Sequence, residues 1–374
     1  MISKILNDEI DFVRFRLVVP VRICDVGGWV DTHFSGHGFV QNLSVLSRPY
    51  FQPGETKSSE GDVPYSGVVV DLHARKASDL CGFFRLIAPD VQVDKSFAAD
   101  DFDFDRTDLL NAAMEAVGIP PRVEGQLFVS SVIPSGASTG TSAGISIGIT
   151  SAFEYLKRGE IDPYWVARKT HEIETILMGL ECGVQDQGAI AAACGATYVD
   201  IYRYPNFSVS PIHLDLTTIN KLESGLLTFV YGKPHKSSDV HKMVIEEIVK
   251  IGRLHPGLER IRLLAPEARY CLLDGDMYGY GQVLNRNTEC QRELHPKLIS
   301  DECQSLIDWS KQFDPLGGKV NGAGGPDGGS YSVLFKAENK HEAAESARDL
   351  FPNIPILEHK LASGGICPEI VDKV

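Results

Sequence analysis

Between Gln126 and Thr150 the chain reads QLFVSSVIPSGASTGTSAGISIGIT, and this stretch constrains the fold more tightly than any other. Its first residues predict a strand over Gln126 to Val132. The segment Pro134 to Gly144 is built only from Pro, Gly, Ala, Ser and Thr. A helix is predicted over Thr141 to Leu156, opening on small residues. Glycine lets backbone approach a ligand closely, and the free N–H groups and positive dipole at a helix start favour phosphate. A strand, a pliant loop and a helix start therefore meet around an anion-sized space. No Lys follows Gly140, so the loop is not a Walker A phosphate loop. A tight strand-to-helix turn without a ligand remains the alternative from this segment alone.

The surrounding sequence mixes strands and helices. Short β-type runs precede the loop at Phe12 to Val19, Val68 to Leu72 and Phe83 to Ile87. A helix is predicted over Pro163 to Met178, with Trp165, Ala167, Ile173 and Ile176 supplying part of an apolar face. Around Tyr202 to Pro211 the sequence RYPNFSVSP reads as irregular and places a boundary that divides the chain into 1–205 and 206–374. Beyond it come a strand at Gly225 to Tyr231 and helices at Ser238 to Ile251, Gly257 to Gly275 and His295 to Gln312. A strand at Ser330 to Phe335 and a helix at Lys340 to Leu350 complete an expected α+β unit with an antiparallel sheet.

A net charge of −14 over 374 residues disfavours nucleic acid and anionic membrane as partners, because both need a basic face. No run reaches the roughly 18–20 apolar residues of a membrane helix, and acids stand early where a secretion signal has its apolar core. A cytoplasmic protein with a small-molecule partner is expected. The eight cysteines, Cys24, Cys81, Cys182, Cys194, Cys271, Cys290, Cys303 and Cys367, form no CxxC pair and read as reduced thiols.

Two further constellations carry chemistry. In Pro20 to Thr32, PVRICDVGGWVDT, an Arg, a Gly-Gly turn and an Asp can converge on one ligand: Arg22 toward an anion, Asp31 toward hydroxyls. A surface salt bridge between Arg22 and Asp31 is the alternative. His33 and His37 lie four apart without an evident third ligand, so a metal pair is not read there. In Ala167 to Asp200, Glu174 and Asp186 stand twelve residues apart. One carboxylate can hold Mg²⁺ while the other accepts a hydrogen bond from an attacking hydroxyl. The alternatives are a solvated Glu174 and an Asp186 that caps the next helix, and Glu172 competes with Glu174 for the metal.

Pro134 to Ala143 resembles the second motif of the GHMP kinases, usually Pro-x-Gly-x-Gly-Leu-Gly-Ser-Ser-Ala. Pro134, Gly136, Gly140, Ser142 and Ala143 are in register, and Ser138, Thr139 and Thr141 replace Gly, Leu and Ser. Gly-Gly-Trp-x-Asp-Thr, from Gly27, is similar to the first motif in the L-fucokinase and D-glycero-D-manno-heptose 7-phosphate kinase branch, where galactokinases carry Gly-Glu-His-Thr-Asp. Gly183 to Gln187 resembles the Gly-x-Gln-Asp-Gln of heptose kinases. Gly322-Ala323-Gly324-Gly325 resembles the third motif, followed by an apparent insertion of Pro326 and Asp327. Tyr231 to His241 resembles a basic, hydroxyl-rich stretch of heptose-type kinases, which implies that Lys236, Ser237 and Ser238 reach toward nucleotide or substrate phosphate; a solvated loop capping the next helix is the alternative.

The resemblance implies an α+β two-domain GHMP kinase fold, ribosomal protein S5 domain 2-like over 1–205 and ferredoxin-like over 206–374, with ATP in the cleft. It implies that Pro134, Gly136, Ala137, Ser138, Thr139, Gly140, Thr141 and Ser142 wrap the nucleotide phosphates, and that Ser142 and Glu174 hold Mg²⁺. Asp31, with Gly27, Gly28, Gly322, Ala323 and Gly324, falls on the acceptor side. Arg22 stabilises the transferring phosphate, and Asp186 orients or deprotonates the acceptor. The implied activity is direct in-line transfer of the γ-phosphate of ATP to a sugar or sugar-phosphate hydroxyl, anomeric and of heptose 7-phosphate or fucose type, by a monomer or homodimer. A mevalonate-type or other polyol kinase, or a sugar- and ATP-binding regulator without catalysis, is the alternative.

Overall fold

The computed structural model describes residues 3–51, 63–79, 82–99, 108–232, 237–252 and 255–374, without the side chains of 237–239 and 241. The chain opens with β1 (Phe12–Val19), β2 (Val21–Val26), β3 (Gly38–Pro49), β4 (Val68–Lys76), β5 (Phe83–Ala88) and β6 (Val93–Ala98). Then come α1 (Leu109–Val117), β7 (Val123–Ser131), α2 (Thr141–Arg158), α3 (Pro163–Glu172) and α4 (Gln185–Ala192), followed by β8 (Ala196–Arg203) and β9 (Asn206–Pro211). The remainder is α5 (Leu216–Gly225), β10 (Leu226–Gly232), α6 (Ser237–Ile251), α7 (Pro256–Asp274), α8 (Met277–Leu294), α9 (Asp301–Ser310), β11 (Gly317–Val320), β12 (Gly328–Leu334), α10 (Ala337–Leu350), β13 (Ile356–Leu361) and β14 (Glu369–Lys373).

These strands make two sheets. The first has the order β14-β1-β4-β7-β5-β6, antiparallel except for the β5–β7 pair. β1 alternates as its sequence does, with Val13, Phe15, Leu17 and Val19 fully buried. The helix α2 lies on β1 and β4. Its small residues make that approach possible: a Cβ on Gly148 would stand 2.5 Å from Cγ2 of Val70. The first sheet thereby fixes where α2 begins.

The second sheet runs β11-β12-β10-β13-β3-β8-β9, with β2 also paired to β3. It draws strands from both sides of residue 205, so the boundary read from the sequence does not separate the sheets. Arg203 to Pro211 is not irregular either. β8 and β9 pair as a hairpin in which Val199 opposes Val209, and Tyr204-Pro205, joined by a cis peptide bond, forms its turn. The helices α7 and α8 pack on β2, β3 and β11, and α8 reaches β11 through Gly281, where a Cβ would lie 2.2 Å from the Leu316 carbonyl oxygen.

The helix predicted over Pro163 to Met178 starts as expected, with Asp162 capping Tyr164 and Trp165, but α3 widens into a π-helical turn at Ile173–Leu177. The extra residue shifts the register, so Ile173 is buried while Ile176 is 72% exposed and leaves the apolar face. The helix predicted over His295 to Gln312 is broken at Pro296–Leu298 and restarts at α9, where Ser300 caps Cys303.

Candidate active site

Four segments converge on a cavity of about 400 Å³: the loop before α2, the turn after β2, the approach to α4 and the turn between β11 and β12. Gly140 precedes α2 in the left-handed region, at φ +73°, and α2 has no side-chain cap. The first-turn N–H groups of Thr141, Ser142 and Ala143 therefore have no helical acceptor. A Cβ on Gly140 would lie 2.8 Å from Cδ1 of Ile190 and 3.1 Å from Oδ2 of Asp186, so glycine is required both for φ and for space. Ser138, where the resemblance expects glycine, also adopts a left-handed φ of +54°, which costs on the order of 1 kcal/mol.

Arg22 is the hub. Its Nε donates to Oδ1 of Asp186 at 2.7 Å and its Nη2 to Oδ2 at 3.0 Å, a bidentate grip, and its Nη1 donates to the Ser138 carbonyl. The guanidinium is 4% exposed. Burial opposes its charge, but Asp186, Asp25 and Asp31 more than offset that and hold its pKa above the ordinary arginine value. A surface salt bridge from Arg22 to Asp31 is thus replaced by a buried one to Asp186. Nor does Asp186 cap α4: Val184 occupies that position, and Asp186 sits in the first turn facing Arg22.

Asp31 is 2% exposed, and its Oδ2 accepts the Gln185 N–H at 3.0 Å. Burial pushes its carboxyl up to about 6, helped by Asp186 and only partly opposed by the Gln185 bond. Gly183 must be glycine, since a Cβ there would overlap Oδ2 of Asp31 at 1.8 Å. Glu174 lines the cavity, accepts from Nε2 of Gln187 at 3.2 Å, and is pushed up to about 7 by burial and by Asp186. Glu172 is half exposed and turned to Lys169 at 3.7 Å. The π-helical turn after it brings Glu174, and not Glu172, to the cavity.

Of the residues singled out in the sequence, Arg22, Asp31, Glu174, Asp186, Gly322, Ala323 and the whole run Gly136 to Ser142 line the cavity. Pro134, Gly27, Gly28 and Gly324 do not. Gly27 donates its N–H to Oδ1 of Asn287 at 2.8 Å, and Gly324 lies against the Leu298 carbonyl, so both shape loops from behind. Lys236 falls outside the described residues, as do the side chains of Ser237 and Ser238.

Sequence reasoning missed the support beneath the cavity. Asp25 is fully buried, accepts the Gly322 N–H at 2.9 Å, and stands 3.6 Å from Nζ of the equally buried Lys319. Lys319 also donates to Oε1 of Gln291 at 2.8 Å, and Nε2 of Gln291 donates to the Gly322 carbonyl at 2.9 Å. Burial lowers the Lys319 pKa, with Asp25 opposing. The turn between β11 and β12 is clamped to the loop before α2 by Ser330 Oγ donating to the Ala137 carbonyl. A Cβ on Gly322 would meet the Ser138 carbonyl at 2.7 Å. The burial of Asp25 and Lys319 carries no local sequence signal.

Residues 107–195, which hold the second loop, Glu174 and Asp186, match the family model described as the GHMP kinases N terminal domain. The chain carries a GHMP kinase N-terminal domain. It is 24% identical over 359 residues to the bifunctional fucokinase/GDP-fucose pyrophosphorylase of Arabidopsis thaliana, covering 90% of this chain and 31% of that protein. It is 23% identical over 203 residues to the D-glycero-alpha-D-manno-heptose 7-phosphate kinase of Campylobacter jejuni, covering 53% of this chain and 58% of that one. The chain thus spans less than two thirds of the length of both curated relatives. Its fold matches the crystal structure of Lactococcus lactis galactokinase complexed with galactose at a TM-score of 0.70, with 13% identity and 95% of each chain covered. The GHMP kinase fold is therefore the fold of this chain, with mixed α/β content.

Proposed function

We propose that the chain is an ATP-dependent kinase that phosphorylates a sugar or sugar-phosphate hydroxyl with Mg²⁺ as cofactor. The observation that carries this reading is the Arg22–Asp186 pair, held at 2.7 Å between the uncapped start of α2 on one side and the buried Asp31 on the other. A guanidinium and a carboxylate at such a junction suit phosphoryl transfer, in which positioning and charge neutralisation dominate. In the two-domain description, the S5-like and ferredoxin-like parts flank this cleft.

The residues present fit the implied ligands. The loop from Gly136 to Ser142 offers backbone amides without side chains in the way at Gly136 and Gly140, a cradle for nucleotide phosphates. Ser142 and Glu174 offer hard oxygen donors, and a buried carboxylate that accepts from the Gln187 amide suits a cation. When bound, the ion would neutralise phosphate charge. The acceptor oxygen attacks the γ-phosphorus, its bond to the β–γ bridging oxygen breaks, and ADP leaves. Asp186 orients the hydroxyl and receives its proton, while Arg22 stabilises the charge on the transferring group.

The test is ADP release with a panel of L-fucose, heptose 7-phosphate, galactose, arabinose and mevalonate, scored by product mass. A phosphorylated sugar supports the reading. Tight ATP binding with no product from any acceptor would identify a regulator instead, and a product from mevalonate alone would move the chain to the polyol alternative.

A further inference from the structure

The acceptor end of the cavity, around Trp29, Asp31, Thr32, Glu181 and Gln185, is rich in carboxylate oxygen and poor in cations. The Gln185 N–H is already given to Asp31, and the Thr32 hydroxyl donates to the Trp29 carbonyl at 2.7 Å, which leaves its oxygen as an acceptor. Oε1 of Gln185, a residue 7% exposed, has no hydrogen-bond partner. Among the described residues Arg22 is the only Lys or Arg that lines the cavity, and three of its N–H directions are committed to Asp186 and Ser138. Against that single cation stand the carboxylates of Asp31, Glu174, Glu181 and Asp186, of which Glu181 lies 3.0 Å from Nδ1 of His33. The other end differs, because the uncapped amides at the start of α2 favour an anion there.

We propose that the acceptor end takes an uncharged, hydroxyl-rich sugar and discriminates against sugar phosphates and hydroxy acids. The inference rests on the kinase reading of the cavity and narrows its acceptor. Sugar hydroxyls are donors as well as acceptors, so each can give its proton to Asp31, to Gln185 Oε1 or to Thr32. A phosphate dianion or a carboxylate only accepts. Beside Asp31 and Glu181 it would bring like charges together, and it would leave the acceptors on Asp31, Gln185 and Thr32 without a donor. The wall thus supplies attraction for one class and repulsion for the other.

Two measurements decide it. In the first, kcat/KM is compared for neutral sugars and their terminally phosphorylated counterparts, together with mevalonate. The neutral member of each pair is expected to be favoured by on the order of 10²-fold. Equal or better turnover of the phosphorylated member overturns the inference and leaves the kinase reading standing. In the second, the same compounds are titrated calorimetrically without nucleotide, which does not depend on turnover. Binding of neutral sugars without phosphoryl transfer supports the inference and sinks the kinase reading. Binding of phosphorylated sugars alone, or of no sugar at all, overturns the inference. Glu181→Lys supplies a charge control, since placing a cation at this half-exposed position should shift the phosphorylated-to-neutral ratio upward by about tenfold. An unchanged ratio also counts against the inference.

Discussion

Asp186 and Arg22 lie 164 positions apart in the chain and meet at 2.7 Å, so their pairing is a property of the fold and not of either motif. Asp186→Asn keeps the size of the side chain and an acceptor oxygen for Arg22 while removing charge and basicity. Turnover is expected to fall by roughly 10² to 10⁴, the range for a positioned general base, with MgATP affinity in calorimetry nearly unchanged. A mutant that melts much earlier, yet turns over normally in its folded fraction, would make Asp186 a structural residue. Asp31 allows a test by pH. Its carboxyl is pushed up to about 6 chiefly by burial, so it loses its charge, and with it an acceptor for hydroxyls, as the pH falls through that value. The KM for the acceptor should therefore rise on going from about pH 8 to about pH 5, and Asp31→Asn should flatten that dependence. The sign for stability is opposite. A carboxyl whose folded pKa is raised contributes stability below its unfolded pKa and loses it as the pH rises through about 6. Asp31→Asn is thus expected to raise the melting temperature of the free protein near pH 8 while weakening acceptor binding, a comparison made by thermal scans beside sugar titrations.

At the scale of elements, the loops were legible and their supports were not. The loop before α2 announces itself by local composition, and β1 was readable at Phe12–Val19 because one face is buried and the other is not. β3 is buried on both faces from Val40 to Val45, so its sequence GFVQNLSVLSRP has no period of two to find. α8 went unread because glycines interrupt it and its buried face includes Asn287 and Gln291, polar residues that sequence alone assigns to solvent. Those residues hold Gly27 and Gly322 in place, through partners far away in the chain. The Asp25–Lys319 pair ties β2 to β11 in the same hidden way. Asp25→Asn would leave Lys319 buried without a compensating charge, an effect worth about 3–5 kcal/mol. Combining it with Lys319→Met should recover most of that loss, because the second change removes the stranded cation. Urea denaturation of the two singles and the double measures the coupling. Additive losses would show that the pair does not act as a unit.

Across the whole molecule, the cavity and the second sheet both cross the division at residues 205 and 206. Asp31, Glu174 and Asp186 come from the first part, Gly322 and Ala323 from the second. β3 pairs with β8 of the first part over Gly38 to Leu43 and with β13 of the second over Val45 to Pro49, and β1 carries β14 on its edge. A fragment of residues 1–205 would expose the β3 edge where Ser47 now faces His359, a buried partner whose Nδ1 lies 2.8 Å from Ser47 Oγ. It would also lose α7 and α8 from β2 and β3. An unpaired strand edge beside an uncovered apolar face invites association with other chains. Neither 1–205 nor 206–374 is therefore expected to show a cooperative thermal transition as a monomer, whereas the full chain should melt with both sheets together. Scanning calorimetry with sedimentation of the two fragments checks this. A monomeric 1–205 with its own sharp transition and measurable ATP binding would mean that the first part is autonomous, and that the strands it shares with the second part were added to a domain already stable without them.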